Sequence, residues 1–419
     1  MKVSVVNLGC KVNRVESDTI SLSYLQRGAS LVAPDQADVI VVNTCTVTGE
    51  AEKKTRKCIR RALRENDHAQ IVVTGCAAAI SPDFFAALDS RICVVDKADL
   101  LEEGTAFESA GALSALSTQQ LVRSGQEFPT RVGVKVQDGC NHACTYCIVH
   151  VARGRAWSRP VEAIEQEVRA LIESGVKEFV LTGIDLGSYS FKYSSQRITL
   201  AGLLRRLLAL ADACDACDVR FRVSSIEPRS VSEDFIELLA QSEGRVCRHL
   251  HLPLQSGSDK VLRDMHRPYR GQDFCSLVDR LYKQVPELSL TTDVIVGFPG
   301  ETDQDFQTTC DVCREMRFSK IHVFRYSKRE GTPAAARDDQ IDAALKEQRA
   351  RTLLSLSDDL RYAFSCGLQG KTESIVVEKP GWGTTESYYK ARFDVATYTE
   401  GVFRGRIKEV NSDGVLFAV

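Results

Sequence analysis

The first hundred or so residues alternate short runs of β-branched side chains with patterns typical of amphipathic helices. The runs fall at Val3–Leu8, Val39–Asn43 and Ile71–Thr74. Continuous apolar strands that alternate with helices are typical of a parallel sheet covered on both faces. The pattern predicts an α/β domain with a doubly wound parallel sheet over residues 1–110. Residues 111–128, in a stretch rich in Ser, Ala, Gly and Gln, are predicted to be a linker.

The middle of the chain, residues 129–357, contains six further repeats of a strand pattern and a helix pattern. The predicted strands lie near residues 131–137, 178–183, 219–225, 247–255, 288–297 and 320–326. The predicted helices include Val161–Ser174, Ala201–Ala211 and Asp303–Met316. Because a complete barrel of this type needs eight such units, the pattern predicts a partial (β/α)6 barrel.

After a helical stretch at Gln340–Phe364, the pattern changes to short alternating strands. They cover Ser374–Glu378, Tyr388–Phe393 and Val402–Ile407. This alternation predicts a small β-barrel, which we assign to residues 358–419. Five of its side chains are expected to be exposed and able to stack on bases or bind phosphate: Tyr388, Tyr389, Arg392, Arg404 and Arg406.

Composition restricts the class of protein further. The 419 residues carry a net charge of −2, so any nucleic acid would have to meet local basic patches. The chain begins with a strand pattern rather than a signal sequence, and no apolar stretch is long enough to span a bilayer, so we expect a cytoplasmic protein. Fifteen cysteines in such a chain favour free thiols and metal ligation over disulfides.

One local basic patch lies on a predicted helix after Cys45. It contains seven basic residues within twelve positions: Lys53, Lys54, Arg56, Lys57, Arg60, Arg61 and Arg64. Such a run is either a solvated helix face or a surface that binds the phosphates of RNA. The sequence leaves both interpretations open.

Three cysteines with C-x3-C-x2-C spacing follow the first strand of the predicted barrel. They are Cys140, Cys144 and Cys147, and the next cysteine is Cys214. A fully ligated iron–sulfur cubane takes four thiolates, so three would leave one iron open to a substrate or cofactor. The alternatives are a zinc knuckle or reduced core thiols, although three thiolates without a nearby fourth ligand suit structural zinc poorly.

This motif, with Tyr146 before its last cysteine, resembles the signature of radical S-adenosylmethionine (SAM) enzymes. The resemblance implies that Cys140, Cys144 and Cys147 bind a [4Fe-4S] cluster whose open iron chelates SAM. One-electron cleavage of SAM would then give methionine and a 5′-deoxyadenosyl radical that abstracts hydrogen from an unreactive carbon.

The same resemblance implies that polar turns after later strands line the SAM pocket. The residues that we assign to cofactor binding are Gly183, Ser225, Gln255 and Gly297. A glycine lets the backbone approach the methionyl part of SAM, and polar side chains can meet its ribose and carboxylate. The alternative is ordinary turn chemistry, in which glycine is common at strand ends.

Three more cysteines each follow a strand of the predicted N-terminal sheet. Cys10, Cys45 and Cys76 occupy the same position after successive major strands. Ligands gather at the carboxyl ends of strands in open parallel sheets, so the pattern predicts a second three-cysteine cluster site. Alternatively, the three are small apolar residues in strand-to-helix turns.

The segments around these cysteines resemble the N-terminal domain of radical SAM methylthiotransferases. They are Asn7–Asn13, Asn43–Thr48 and Thr74–Cys76. The resemblance implies that Cys10, Cys45 and Cys76 bind an auxiliary [4Fe-4S] cluster that carries the sulfur to be inserted. It also implies that the C-terminal barrel is an RNA-binding TRAM domain.

The residues after the first cysteine indicate the branch of the family. Gly9-Cys10-Lys11-Val12-Asn13 resembles the branch that acts on N6-threonylcarbamoyladenosine (t6A) in tRNA, whereas the isopentenyladenosine branch favours Gln-Met and the ribosomal-aspartate branch Pro-Lys after that cysteine. The implied partners are a tRNA anticodon stem-loop, an electron donor of the flavodoxin or ferredoxin class, and an unidentified sulfur donor. His150-Val151 and Ala77 depart from the family pattern and leave substrate positioning open.

Two hypotheses remain beside this one. Cys214 with Cys217 and Cys310 with Cys313 form C-x2-C pairs that together could bind zinc. The chain could also be an iron–sulfur protein that binds RNA or transfers electrons without turnover, and such a protein would cleave no SAM.

Overall fold

The structure is a computed structural model that describes residues 1–46, 49–102, 130–396, 398 and 400–419. The predicted linker, residues 111–128, lies outside the described residues. The N-terminal part forms a parallel five-stranded sheet in the order β2-β1-β3-β4-β5. Its strands are β1 (Lys2–Asn7), β2 (Ser30–Leu31), β3 (Val39–Thr44), β4 (Gln70–Gly75) and β5 (Ile92–Val94). Its helices are α1 (Lys11–Gln26), α2 (Gly49–Glu65), α3 (Cys76–Ile80), α4 (Pro82–Ala86) and α5 (Lys97–Glu102).

Both faces of this sheet are buried under helices. On one face, strand residues such as Val41 pack with Ile20 of α1. On the other face, Val42 and Val73 pack with Ile59 of α2. Consecutive strand side chains point to opposite faces, which explains why these strands are apolar throughout. The predicted doubly wound domain is confirmed.

The central region holds six parallel strands in two three-stranded sheets, β12-β9-β6 and β13-β14-β15, with isolated bridges joining β12 to β13. The strands and two small hairpins are β6 (Arg131–Lys135), β7 (Gln137–Asp138), β8 (Trp157–Ser158), β9 (Glu178–Thr182), β10 (Ser190–Tyr193), β11 (Gln196–Thr199), β12 (Arg220–Val223), β13 (His249–His251), β14 (Ser289–Val296) and β15 (Lys320–Arg325). The partial (β/α)6 barrel is confirmed, and its open side lies between β6 and β15.

Helices cover the outside of the partial barrel. They are α6 (Val149–Arg153), α7 (Val161–Glu173), α8 (Leu200–Ala213), α9 (Glu233–Gln241), α10 (Asp259–Asp264), α11 (Gly271–Gln284), α12 (Asp303–Glu315) and α13 (Ala343–Gly367). Helix α7 shows why they form here, because Val161, Ile164, Val168 and Leu171 recur at helical spacing and are all buried. Phe179 and Phe221 pack outward into this core. The alternate strand residues therefore face the lumen of the barrel.

The N-terminal sheet domain closes the open side of the partial barrel. Helix α1 packs against β6, where a Cβ atom on Gly133 would come within 2.5 Å of Val15, so only glycine permits this approach. At the other edge, Arg325 of β15 pairs with Glu50 of α2 at 2.6 Å. The Gly49 amide also donates to the Ser327 hydroxyl at 3.2 Å. The first domain therefore contacts both free edges of the barrel.

The C-terminal region is a closed five-stranded barrel in the order β16-β17-β18-β20-β19. Its strands are β16 (Thr372–Lys379), β17 (Trp382–Thr385), β18 (Lys390–Arg392), β19 (Val402–Val410) and β20 (Leu416–Ala418). It covers the amino ends of the central strands, where Arg220 and Arg222 donate to the Thr384 and Thr385 carbonyls at 2.8 and 2.9 Å. The predicted small barrel is confirmed.

One expectation for this barrel is wrong. Tyr389 was expected to be exposed, but it is 5% exposed and stacks on Phe364 with 5.6 Å between ring centroids. Its hydroxyl donates to the Ser319 carbonyl at 3.1 Å, so the ring fills the seam between the two barrels. A surface strand pattern cannot reveal that a neighbouring domain covers it. Arg392, Arg404 and Arg406 are exposed as predicted.

Candidate active site

The C-x3-C-x2-C loop lies between β7 and α6, beyond the carboxyl end of β6. Backbone amides point at two of its sulfur atoms: the His142 amide donates to Cys140 Sγ and the Val149 amide to Cys147 Sγ, both at 3.4 Å. Arg267 donates to Cys144 Sγ at 3.3 Å. Donors aimed at sulfur stabilise thiolates, which are the form that binds iron.

The three thiols of this loop share one electrostatic environment. Burial raises the pKa of Cys140 to about 11, and the Asp185 carboxylate and the Cys147 and Cys144 thiols act in the same direction. Burial also raises the pKa of Cys147. The thiolates of Cys140 and Cys147 are therefore favoured by a bound cation, and a cluster held through the three cysteines of the loop provides that positive charge. The residues fit the predicted [4Fe-4S] cluster.

Charged side chains from several strand ends surround the loop. Arg267 pairs with Glu227 at 2.5 Å. His142 pairs with Asp185 at 3.1 Å, and these two side chains with Cys140 have ligand atoms within 4.8 Å of one another. Burial raises the pKa of Glu227 despite Arg267. The carboxylates after β9 and β12 thus face the loop together.

Two buried oxygen atoms near the loop have no hydrogen-bond partner in the described part of the protein and could accept from a polar cofactor. Among the described residues, Ser224 Oγ and Glu227 Oε1 are buried without a hydrogen-bond partner. A buried unpaired oxygen costs about 1–3 kcal/mol, so such atoms indicate a ligand. The amino and hydroxyl groups of SAM are donors that suit these oxygens. This donor requirement fits the predicted cofactor.

The four residues assigned to SAM binding lie on the same side of the barrel as the loop, each just after or near a strand's carboxyl end. Gly183 follows β9, and a Cβ there would lie 2.8 Å from Gln137 Oε1. Ser225 bridges to His251, and Gln255 has a left-handed φ of 64°. Gly297 has φ 70°, and its amide donates to Glu301 at 2.7 Å. Their contact with SAM stays a prediction.

The second set of cysteines is delivered by three neighbouring parallel strands. Strands β1, β3 and β4 are paired in register, with Asn7 opposite Asn43 and Thr44 opposite Gly75. Cys10, Cys45 and Cys76 follow these ends, and Cys45 and Cys76 are buried. Gly75 has φ 94°, and a Cβ there would lie 2.5 Å from the Thr44 carbonyl, so the turn needs glycine. The register brings the three loops to one edge.

Asn13 and Arg153 connect these loops directly. The Cys10 thiol donates to Asn13 Oδ1 at 3.3 Å, and the side-chain amide nitrogen of Asn13 donates to the Thr44 carbonyl next to Cys45 at 2.9 Å. Arg153 donates to the same Asn13 oxygen at 2.9 Å and to Cys76 Sγ at 3.2 Å. The three-thiol set with these donors fits the predicted auxiliary cluster.

Arg153 also joins the two cysteine sites, because it lies on α6 immediately after the Cys140–Cys147 loop. It donates to Glu16 at 2.8 Å and to Asp138 at 3.1 Å. Lys135 and Lys97 complete a buried network around Glu16. Burial would raise the pKa of Glu16, but Lys97, Arg153 and Lys135 outweigh it and lower the pKa to about 2.

The sequence analysis assigned no role to Arg153 or Arg267. Glu227 lies in the same turn as Ser225, which the family resemblance assigns to the SAM pocket, and Glu16 lies one turn of α1 beyond Asn13 of the motif around Cys10, so a signal existed for both. Arg267 precedes Pro268 in a loop with no motif. Its role is visible only because the fold buries it beside Cys144, with its side chain 5% exposed.

The zinc hypothesis for the C-x2-C pairs is wrong. Cys310 and Cys313 are buried in the apolar core beneath α12, whereas Cys217 is exposed. Within the described parts of the chain, the only group of three or more potential ligands within 4.8 Å contains Cys140. Core packing explains Cys310 and Cys313.

The basic run lies on α2, directly after the Cys45 loop. Thr55, Ile59 and Ala62 form its buried face. Most of the basic side chains lie on the exposed face: Lys53, Lys54, Lys57, Arg60, Arg61 and Arg64. Arg61 pairs with Glu65 at 2.8 Å, whereas Arg60 makes no ion pair within the described residues.

No helix in the described part of the chain combines the length and apolar character that crossing a membrane requires.

Comparison with known proteins follows the domain pattern of the structure. A model of the Radical SAM superfamily matches residues 134–313, and the model "Uncharacterized protein family UPF0004" matches residues 2–95. The chain is 37% identical to the threonylcarbamoyladenosine tRNA methylthiotransferase MtaB of Bacillus subtilis, over 96% of this chain and 90% of that protein. It is 35% identical to a tRNA-2-methylthio-N(6)-dimethylallyladenosine synthase of Desulfitobacterium hafniense, over 90% and 87% of the two chains.

A solved structure supports the fold. The radical S-adenosylmethionine methyltransferase TsrM from Kitasatospora setae superposes with a TM-score of 0.53 at 16% identity, covering 80% of this chain and 77% of that one. At this identity, the likeness shows a shared fold and nothing more.

Proposed function

The chain belongs to the radical SAM family of tRNA methylthiotransferases, and we propose that it inserts a methylthio group at C2 of t6A beside the anticodon, giving 2-methylthio-t6A. The observation that carries the proposal is the pair of three-cysteine sites joined through Arg153. Sulfur insertion at an unreactive carbon needs both a radical source and a sulfur carrier, and the chain has one site suited to each.

Each site has a separate task in this proposal. Cys140, Cys144 and Cys147 would hold the cluster that binds SAM, and Cys10, Cys45 and Cys76 would hold the auxiliary cluster. When bound, these groups supply the electron, the hydrogen-abstracting radical, the methyl group and the sulfur.

The surrounding protein groups hold the two sites in place. Arg267 directs positive charge at Cys144 and anchors the Glu227 carboxylate, which can accept from the amino group of SAM. Arg153 fixes the separation of the two cysteine sites. Gly183, Ser225, Gln255 and Gly297 are proposed to line the SAM pocket.

The proposed partner is a tRNA anticodon stem-loop. The exposed basic face of α2 lies next to the Cys45 loop, where it can bind phosphates flanking the target base. Arg392, Arg404 and Arg406 of the C-terminal barrel offer further cationic contacts. We further propose that the reductant is of the flavodoxin or ferredoxin class and that the protein works in the cytoplasm. The sulfur donor is left unassigned.

Mass spectrometry of tRNA nucleosides from a deletion strain tests the substrate. We expect 2-methylthio-t6A to disappear while t6A accumulates, and the plasmid-borne gene to restore it. Depletion of 2-methylthio-isopentenyladenosine instead would assign the chain to the other tRNA branch, which the relatives named dimethylallyladenosine synthases represent. Loss of a ribosomal-protein aspartate mark would assign it to the third branch.

A further inference from the structure

Lys11, the residue after the first cysteine, lies beside the C-terminal barrel. Its ammonium nitrogen lies 5.2 Å from the centroid of the Tyr388 ring. Tyr388 sits in the turn between β17 and β18 with a left-handed φ of 69°. Left-handed backbone is uncommon for a bulky residue, and here the packing of the ring maintains it. Tyr388 therefore extends from the small barrel toward the lumen of the large one.

The end of the lumen that Tyr388 enters carries excess positive charge. Arg131 and Arg222 lie 5.3 and 4.8 Å from the same ring. Buried Glu178 is shared by three guanidinium groups, from Arg131, Arg220 and Arg222, at 2.9, 2.5 and 2.8 Å. Arg131 also pairs with Glu378 at 2.8 Å, so two carboxylates face three guanidinium groups. The excess of positive charge makes this region attractive to an anion.

Lys11 has no carboxylate partner among the described residues, and the same holds for Lys320 and Arg361 in the lining of the cavity beside Tyr388. Within the described residues, no Asp or Glu oxygen lies within ion-pair distance of the Lys11 ammonium group, although the arginines share Glu178 and Asp293 pairs with His251 at 3.3 Å. Its side chain is exposed to solvent within the space between the domains. Lys11 can thus form an ion pair with an incoming anion without first breaking one.

Neutral hydrogen-bonding groups complete this region. The His249 ring lies 4.7 Å from Tyr388. Burial lowers the pKa of His249 well below its usual value, and Arg222 and Lys11 lower it further. Burial likewise lowers the pKa of His322 to about 4. A cavity of about 280 Å³ lies beside them, and Tyr388, His322 and Thr291 are in its lining. The lining also holds the cations Arg131, Lys320, Arg361 and Lys390, and Lys11 reaches it through the Tyr388 ring. Neutral imidazoles and hydroxyls suit a polar substituent with both donors and acceptors.

We propose that Lys11 binds the carboxylate of the threonylcarbamoyl group and so selects t6A over a nucleoside with an apolar N6 substituent. This inference rests on the function proposed above. Of the two tRNA substrates considered, only t6A carries a negative charge on the substituent. Lys11 directly follows Cys10, so the group that recognises the substituent and a thiol of the proposed sulfur-carrying site are adjacent in the chain.

Binding of three synthetic anticodon stem-loops to the reconstituted protein tests the inference. The stem-loops carry t6A, the methyl ester of t6A, or unmodified adenosine, and fluorescence anisotropy under anaerobic conditions gives Kd for each. Wild-type protein should bind t6A about tenfold more tightly than the ester, because the ester removes only the charge. Lys11→Gln should remove that preference, and Lys11→Arg should keep most of it.

The control variant is Arg14→Gln, one turn further along α1, where an exposed arginine pairs with Asp18 at 3.1 Å. It should leave all three Kd values unchanged. Iron content and visible absorption of each variant verify that both cluster sites are loaded. The comparison of t6A with its methyl ester uses wild-type protein alone. It therefore tests recognition of the carboxylate even if Lys11→Gln loads its clusters poorly.

Three outcomes would overturn the inference. Equal Kd values of the wild-type protein for the t6A and methyl-ester stem-loops would show that the protein does not bind the carboxylate. An equal loss for all three stem-loops in Lys11→Gln would assign Lys11 to a backbone phosphate. A preference that survives in Lys11→Gln would assign recognition to other residues. Failure of the proposed function appears separately, as absence of 2-methylthio-t6A product from wild-type enzyme supplied with t6A-containing tRNA.

Discussion

The two cysteine sites solve the same chemical problem with opposite architectures. Cys140, Cys144 and Cys147 lie within eight residues of one loop. Cys10, Cys45 and Cys76 come from three strand ends and meet only because β1, β3 and β4 are paired in register. The first site depends on local chain geometry, and the second depends on the whole sheet.

This difference bears on how each site is supported. The loop site takes its polar neighbours from several barrel strands, including Arg267 and Glu227. The sheet site takes a decisive contact from outside its own domain, because Arg153 of the central region donates to Cys76. The sheet site should therefore be the more sensitive of the two to the packing of the domains.

Removing the loop cysteines should have the largest effect. With Cys140, Cys144 and Cys147 replaced by alanine, we expect loss of one cluster, about half the iron, and all reductive cleavage of SAM. Anaerobic assay of 5′-deoxyadenosine measures the cleavage. Replacing the exposed Cys217 and Cys366 should change neither quantity. A triple variant that still produces 5′-deoxyadenosine would refute the assignment of this loop.

Removing the sheet cysteines should separate the two tasks. With Cys10, Cys45 and Cys76 replaced by alanine, SAM cleavage should persist while methylthio product vanishes, because these thiols hold the proposed sulfur carrier. The iron content should again fall by about half. Product mass spectrometry on t6A-containing tRNA gives the result. Methylthio product from this variant would end the sulfur-carrier hypothesis.

The same contrast explains what could be predicted from the sequence. The loop site follows from spacing alone, and the sheet site follows from three cysteines in equivalent positions after apolar strands. The partial barrel and the small barrel follow from periodicity. The contact between Arg153 and Glu16 could not be predicted, because their 137-residue separation in sequence closes only when α1 packs against β6. The burial of Tyr389 was missed for the same reason, since it depends on contact between domains.

Arg153→Met should destabilise the junction between the sites. The change removes the guanidinium partner of Glu16 and Asp138, while Lys97 and Lys135 still pair with these carboxylates. We therefore expect a loss of about 1–3 kcal/mol, the cost of buried hydrogen bonds left unmade. Denaturant unfolding of the iron-free protein measures the loss. Arg155→Met, at an exposed arginine two residues on, is the matched control and should cost little. Reconstituted Arg153→Met should lose auxiliary iron first, and equal loss from both sites would contradict the asymmetry.

The charge of Glu16 should make this junction sensitive to acid. Because the folded pKa is about 2, below the usual 4.5, ionised Glu16 stabilises the fold at pH values above about 4.5. That stabilisation, as much as about 3 kcal/mol, is lost as pH falls toward 2. The free energy of unfolding of iron-free Glu16→Gln should therefore be lower than that of the wild-type protein at pH 7. The difference between the two should shrink between pH 4.5 and 2. A difference that is constant with pH would show that the charge is not responsible.

The smallest expected effect concerns the binding of tRNA by the basic face of α2. The exposed basic face of α2 adjoins the sheet site, so phosphate contacts should depend on it more than on the outer barrel helices. Arg60→Glu should weaken binding of a tRNA stem-loop several-fold and reduce the slope of log Kd against log salt by about one. Arg280→Glu on α11, an exposed arginine paired with Glu233 at 2.9 Å, is the matched control. Because both variants change net charge equally, a similar loss in the two would mean that total charge, and not the position of Arg60 beside the Cys45 loop, governs tRNA binding.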